Sequence, residues 1–249
     1  MIKAVLFDID NTLILYDEFE FFTQYIPRAS EVFADIIPPE SFADRIISAT
    51  QKMMLNDGSL KNRELFLNHF CGDRNDLWDH LWDRFMEFYR TDFPVLRTLV
   101  IPPPGIGEVF SRLRELDIIL GAASNPIWPV EVQKMRISWS GIDADVFRYI
   151  THIENMSYCK PREEYYYEIS EHLQVPPEQC LMVGNDRIND LAAGKTGMKT
   201  YLTTDCEAVE ESSLALSRRI RKHSNAGETP ADFTGPLSGV TDVVESLLC

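Results

Sequence analysis

Little in this chain offers a covalent framework or a metal cluster. Its five cysteines, Cys71, Cys159, Cys180, Cys206 and Cys249, are scattered and odd in number. No two form a CxxC pair, so neither a zinc ribbon nor a disulfide ladder is expected, and they read as reduced thiols, buried or at the surface. Basic residues are scarce too: 24 Lys and Arg stand against 39 Asp and Glu, a formal net charge of −15. Phosphate backbones are gripped by basic surfaces, so nucleic acid is not expected as a partner. No apolar run is long enough to cross a bilayer, and membrane association is not expected. Met1-Ile2-Lys3 leads straight into the first apolar run, which leaves no room for a signal peptide and makes the cytoplasm the expected location. Internal repeats and low-complexity tracts are missing as well.

What is present is an ordinary globular composition, 45% hydrophobic and 25% charged over 249 residues, enough for one core domain and a smaller second one. Strand-like runs occur at 4–7, 118–123, 149–152, 180–183 and 199–202, with a short edge strand at 231–234. Helical patterns at 105–116, 126–139, 161–173, 188–196 and 239–248 alternate with them. Such alternation predicts an α/β fold, a doubly wound parallel sheet with helices on both faces. Ligands of these sheets bind beyond the carboxyl ends of the strands.

Residues 16–95 break the alternation. They read as successive helices, with apolar residues spaced three and four apart, as in Leu81, Phe85 and Phe88. The stretch holds 15 of the 27 aromatics, and 15 acidic against 8 basic residues give it a net charge of −7. It is expected to be a small helical domain with an aromatic core, some of whose rings could line a pocket, and not a basic clamp. Core residues 1–15 and 96–249 then form the sheet domain, re-entered through Ile101-Pro102-Pro103-Pro104-Gly105. The polar stretch 205–229, with Arg218-Arg219-Ile220-Arg221-Lys222-His223, reads as a solvated face or insertion.

Four segments follow four of the strands, and each carries a reactive group. Asp8-Ile9-Asp10-Asn11-Thr12 sets two carboxylates two residues apart, a pair able to divide nucleophilic and acid/base work. Ser124-Asn125 offers a hydroxyl and free backbone N–H groups for an anion. Lys160-Pro161 sets a lysine just before a helix whose first position suits proline. Gly184-Asn185-Asp186-Arg187-Ile188-Asn189-Asp190 supplies hard oxygen ligands of the kind magnesium takes, with Asp186 and Asp190 four apart. A phosphorylated substrate would need local positive charge on this acidic protein, which a metal could supply.

In this order, each after its own strand, the four segments resemble those of the haloacid dehalogenase-like hydrolase superfamily. The resemblance covers about 1–15 and 96–204, and its most specific part is Leu6-Phe7-Asp8-Ile9-Asp10-Asn11-Thr12. It implies a Rossmann-like core with a helical cap inserted after the first motif. It further implies an Mg2+-dependent phosphatase acting on a small phosphorylated metabolite through an aspartyl-phosphate. Asp8 would be the nucleophile and Asp10 the acid/base. Ser124, Asn125 and Lys160 would hold the phosphate. Asp8, the carbonyl of Asp10 and Asp186 would bind the metal, with Asn185 or Asp190 as an alternative or supporting ligand. Asn185 departs from the family's usual Gly-Asp at that point. Asp10 favours phosphoryl transfer over dehalogenation, since dehalogenase-type members lack the second aspartate. A phosphomutase, a 2-haloacid dehalogenase and a non-catalytic binding protein are the competing readings.

Overall fold

Alternate residues of Ala4–Phe7 point into different apolar layers, and this sets the place of strand β1. Val5 and Phe7 join one hydrophobic cluster, Ala4 and Leu6 the other, and all four are fully buried. A strand covered on both faces belongs inside a sheet sandwiched by helices. In the computed structural model, which describes residues 1–72, 74–206 and 229–248, that is where β1 lies. The sheet runs β3-β2-β1-β4-β5-β6, with every neighbouring pair parallel. The strands are Ala4–Phe7 (β1), Ile119–Ala122 (β2), Tyr149–Ile150 (β3), Cys180–Gly184 (β4), Lys199–Thr203 (β5) and Phe233–Gly235 (β6). All six were expected from the sequence, with ends displaced by two residues or fewer.

Strand order switches direction between β1 and β4, where Phe7 pairs with Val183. A crevice opens there at the carboxyl ends. Three helices of the sheet layers are labelled in chain order after the four of the insertion: α5 (Ile106–Glu115), α6 (Val130–Trp139) and α7 (Glu163–Leu173), with α8 (Val240–Leu248) last. Helices α5, α6 and α8 cover the Phe7 face, and the Phe110 ring lies 5.2 Å from that of Phe7. Helix α7 covers the Leu6 face through Tyr165, Ile169 and Leu173.

Two of the sequence expectations that need correction concern the helices after β2 and β4. The helix expected over 126–139 begins only at Val130, because Pro126 and Pro129 fall where it would start and Pro129 becomes its cap. The helix expected over 188–196 is a turn followed by a 3-10 segment, Leu191–Thr196. The side chain of Asp186 accepts from the backbone N–H groups of Ile188 and Asn189, and this local bonding competes with a regular first turn.

Four helices occupy the insertion: α1 (Glu18–Val32), α2 (Pro39–Met54), α3 (Asn62–Cys71) and α4 (Trp78–Thr91). The chain leaves and re-enters the sheet layers at Leu15 and Ile101, which exchange both backbone hydrogen bonds, 2.8 and 3.0 Å. Phe33, Phe42, Phe70 and Phe85 form a fully buried ring cluster, with Phe33 and Phe85 centroids 4.5 Å apart. Leu81, Phe85, Phe88 and Tyr89 face inward along α4, at the expected spacing. The same apolar layer reaches the sheet through Trp128, whose ring lies 5.3 Å from Tyr25 and 5.4 Å from Phe93.

Cys71, Cys159 and Cys180 are buried free thiols, and Cys206 is buried too. Burial pushes Cys159 and Cys180 up to about 12 and Cys71 to about 11, so thiolate is scarce at neutral pH and these residues act as packing groups. Cys249 and the Arg218–His223 run lie outside the described residues. No helix among the described residues is long and apolar enough to cross a membrane.

Candidate active site

The first segment leaves β1 through a tight turn. Leu13 and Ile14 both donate backbone hydrogen bonds to the Ile9 carbonyl. Asn11 takes up a left-handed conformation, φ 53°, which asparagine tolerates better than most residues. Its Oδ1 accepts from the Tyr16 N–H at 3.0 Å, which offsets the conformational cost.

The turn parts the two aspartates. Asp8 stays buried at the strand end, where Lys160 Nζ donates to its Oδ1 at 2.8 Å. The same ammonium donates to Asp190 Oδ1 at 2.6 Å, and all three side chains are nearly inaccessible. Burial lifts the Asp8 and Asp190 carboxyls above the usual carboxylate range, with Lys160 pulling against it. Burial also pulls the Lys160 ammonium down, but Asp190 and Asp8 outweigh it and hold it well above the ordinary lysine range.

Asp10 turns the other way. Its Oδ1 accepts from the Tyr16 hydroxyl and from the Arg136 guanidinium, and its Oδ2 accepts from Ser124 Oγ at 3.1 Å. Arg136 projects from α6 and is 1% exposed, against 28% for the Asp10 side chain. Gln133 Oε1 accepts a second guanidinium bond at 2.9 Å, and the Trp128 ring lies 5.6 Å away. Among the described residues Arg136 Nε has no partner.

Ser124 is fully buried, and its carbonyl accepts from Thr151 Oγ1 and the Tyr165 hydroxyl, both at 2.7 Å. Asn125 Oδ1 accepts from the Lys160 N–H at 2.9 Å, so the second segment fixes the third. The Lys160–Pro161 peptide is cis, and α7 begins at Glu163 with Arg162 as its cap. The expectation that Pro161 would open the helix is therefore corrected.

After β4, Asp190 folds back so that its Oδ2 accepts from the Asp186 N–H at 2.9 Å. Its carboxyl lies so close to Gly184 that a Cβ there would stand 2.2 Å from Asp190 Oδ2, which explains the glycine. Asp186 is taken up by its own turn, with Asn189 Nδ2 donating to Oδ2 at 2.9 Å. Asn185 Oδ1 lies 3.5 Å from the Thr12 hydroxyl.

Thus Asp8, Asp10, Ser124, Asn125, Lys160, Asn185, Asp186 and Asp190 all line one cavity of about 130 Å³, joined by Tyr16 and Glu18. Sequence reasoning missed Tyr16 and Arg136. The signal for Arg136 was an arginine at apolar helical spacing between Val132 and Trp139, a place where a cation stays only if it is paired.

Residues 2–197 match the family model for haloacid dehalogenase-like hydrolases. The chain belongs to that family. Within it, the chain is 24% identical over 246 residues to Protein CbbY of Cereibacter sphaeroides, covering 96% of this chain and all of that one. A haloacid dehalogenase-family phosphatase from Thermococcus onnurineus superposes with a TM-score of 0.57 at 18% identity, covering 98% of each chain. A 2-haloacid dehalogenase from Pseudomonas syringae pv. Tomato gives 0.59 at 19% identity, covering 99% of this chain and all of that one. At these identities the superpositions speak for a shared haloacid dehalogenase-like fold and leave the reaction open.

Among the described residues no three acidic, histidine or cysteine side chains converge as an all-side-chain metal site requires. Magnesium does not require it, because it keeps several waters and uses few protein oxygens. The charge balance favours a cation. Asp8, Asp10 and Asp190 share Lys160 and Arg136, three carboxylates against two cations, formally −1. A phosphate dianion meets net repulsion there unless a divalent ion enters with it.

Replacing Arg136 by methionine leaves the Asp10 carboxylate facing a site from which its cation has gone. Urea denaturation is expected to show a loss of about 3 kcal/mol, with more than half recovered in the Asp10→Asn/Arg136→Met double variant. A loss below about 1 kcal/mol would show that the pair does not hold this part of the site.

Proposed function

We propose that this member of the family is a magnesium-dependent phosphatase of small phosphate monoesters. The observation that carries the reading is the buried Asp8 carboxylate, held by Lys160 at 2.8 Å, with Asp10 anchored separately beside the same cavity. An Asp8 oxygen bonds to phosphorus as the bond from phosphorus to the ester oxygen breaks, and the alcohol departs with a proton from Asp10. Water then adds to phosphorus and returns its proton to Asp10, and the bond from phosphorus to Asp8 breaks. The net change is ester and water to alcohol and phosphate.

Lys160 neutralises the nucleophile and the transferring group, and Asp190 keeps the lysine in place. Backbone N–H groups at Ser124 and Asn125 would receive phosphate oxygens. Ser124 Oγ is engaged with Asp10, and so it orients the acid/base group in this state. Tyr16 and Arg136 do the same from the other side. Bound magnesium supplies charge compensation for the phosphoryl group. Asp8, the Asp10 carbonyl and Asn185 Oδ1 would hold it. Asn185 is preferred over Asp186 because the Asp186 carboxylate is occupied in capping its own turn.

Release of phosphate from 4-nitrophenyl phosphate tests the reading. Activity is expected to require magnesium, to vanish with a chelator, and to fall at least about a thousandfold in Asp8→Asn. Metal-dependent release that survives Asp8→Asn would remove Asp8 as nucleophile. Halide release from a 2-haloacid without magnesium would favour the dehalogenase reading, and dependence on a bisphosphate activator the mutase. A magnesium titration checks the third ligand: Asn185→Asp adds a charge and is expected to lower the half-saturating magnesium concentration by about tenfold. An unchanged titration would point away from Asn185.

A further inference from the structure

A second cavity, of about 70 Å³, opens among the insertion helices. Phe22, Thr50, Ile127 and Trp128 line both this cavity and the catalytic one, so the two adjoin. The loop that begins with Ser124-Asn125 at the phosphate end supplies Ile127-Trp128 at the junction. Anything attached to a phosphate held at Asp8 has this chamber next to it.

Of the three hydroxyls in its wall, two spend their proton within the protein. The Tyr25 and Tyr89 hydroxyls are 3.2 Å apart and bond each other. Thr50 Oγ1 donates to the Ile46 carbonyl at 2.8 Å and presents its methyl group. The remaining wall is aliphatic and aromatic, including Ile46 and Phe66. A sugar or polyol entering it would find partners for few of its hydroxyls, at about tenfold or more in affinity for each one left unpaired. An apolar group gains about fourfold for each methylene buried.

Resting on the phosphatase reading, we propose that this chamber is the leaving-group pocket and that the substrate is the phosphate ester of a compact apolar alcohol, not of a sugar. Pockets of this kind pair an apolar body with a few orienting polar groups, here mostly at the phosphate end.

A series of n-alkyl phosphates from ethyl to hexyl tests it, since chain length changes while leaving-group chemistry hardly does. We expect kcat/KM to rise two- to fourfold per methylene until the cavity is filled, and glycerol 3-phosphate to fall at least tenfold below butyl phosphate. Ile46→Trp fills the chamber and should flatten the rise, and Phe66→Leu enlarges it and should move the optimum to a longer chain. A chain-length-independent kcat/KM, or a rise that neither variant alters, overturns the pocket while leaving the phosphatase reading intact. Calorimetric binding of the matching alkylphosphonates supplies a readout that needs no turnover. If no ester is hydrolysed, the phosphatase reading falls. Chain-independent phosphonate binding then overturns the pocket too, whereas chain-dependent binding upholds it as an apolar-ligand site.

Discussion

Lys160 sits between two carboxylates that would otherwise repel each other in a buried crevice, and much of the surrounding structure exists to hold it there. Asp8 must end β1 beside β4 for Asp190 to reach the same ammonium, which the pairing of Phe7 with Val183 ensures. Gly184 leaves room for the Asp190 carboxyl, and Asn125 fixes the lysine backbone from the strand on the other side of β1. Desolvating three ionic groups is costly, and removing any one of them leaves an uncompensated charge. The arrangement therefore resists piecemeal change. It also keeps the Asp8 carboxylate on the wall of the cavity, among neighbours that are themselves held in place.

A second ion pair, between Asp10 and Arg136, keeps the two aspartates apart. The turn with Asn11 in the left-handed region sends Asp10 away from Asp8 and toward α6. Tyr16, the first residue after the crossing at Leu15, reaches the same carboxylate. The insertion is thereby tied to the site at its root, and a displacement of α1 relative to the sheet would be felt at Asp10. The junction residues Phe22 and Thr50 extend the link from the polar cavity into the aromatic interior.

The strands, their parallel arrangement and the four segments at their ends were legible because each is a local signal: an apolar run, a turn, a reactive residue. Asp8, Lys160 and Asp190 lie far apart in sequence, yet strand ends gather them, so their meeting followed from topology. Arg136 and Tyr16 were not read, because nothing in the chain's order says that either side chain turns toward Asp10. The helix expected at 188–196 failed for a different reason, since Asp186 bonds its own turn and overrides the apolar pattern. The aromatic richness of 16–95 announced a core and allowed that some rings line a pocket, but not which ones. The shape of that pocket depends on how side chains mesh, and in particular on the bond between the Tyr25 and Tyr89 hydroxyls.

Phosphorylation of Asp8 is the step on which the phosphatase reading depends. Acid quenching during turnover of a labelled phosphate ester, followed by borohydride reduction and peptide mapping, tests this directly. The account predicts label retained on the quenched chain and Asp8 converted to homoserine. Full turnover with no label on the chain, or homoserine at another aspartate while Asp8 is unchanged, would contradict it.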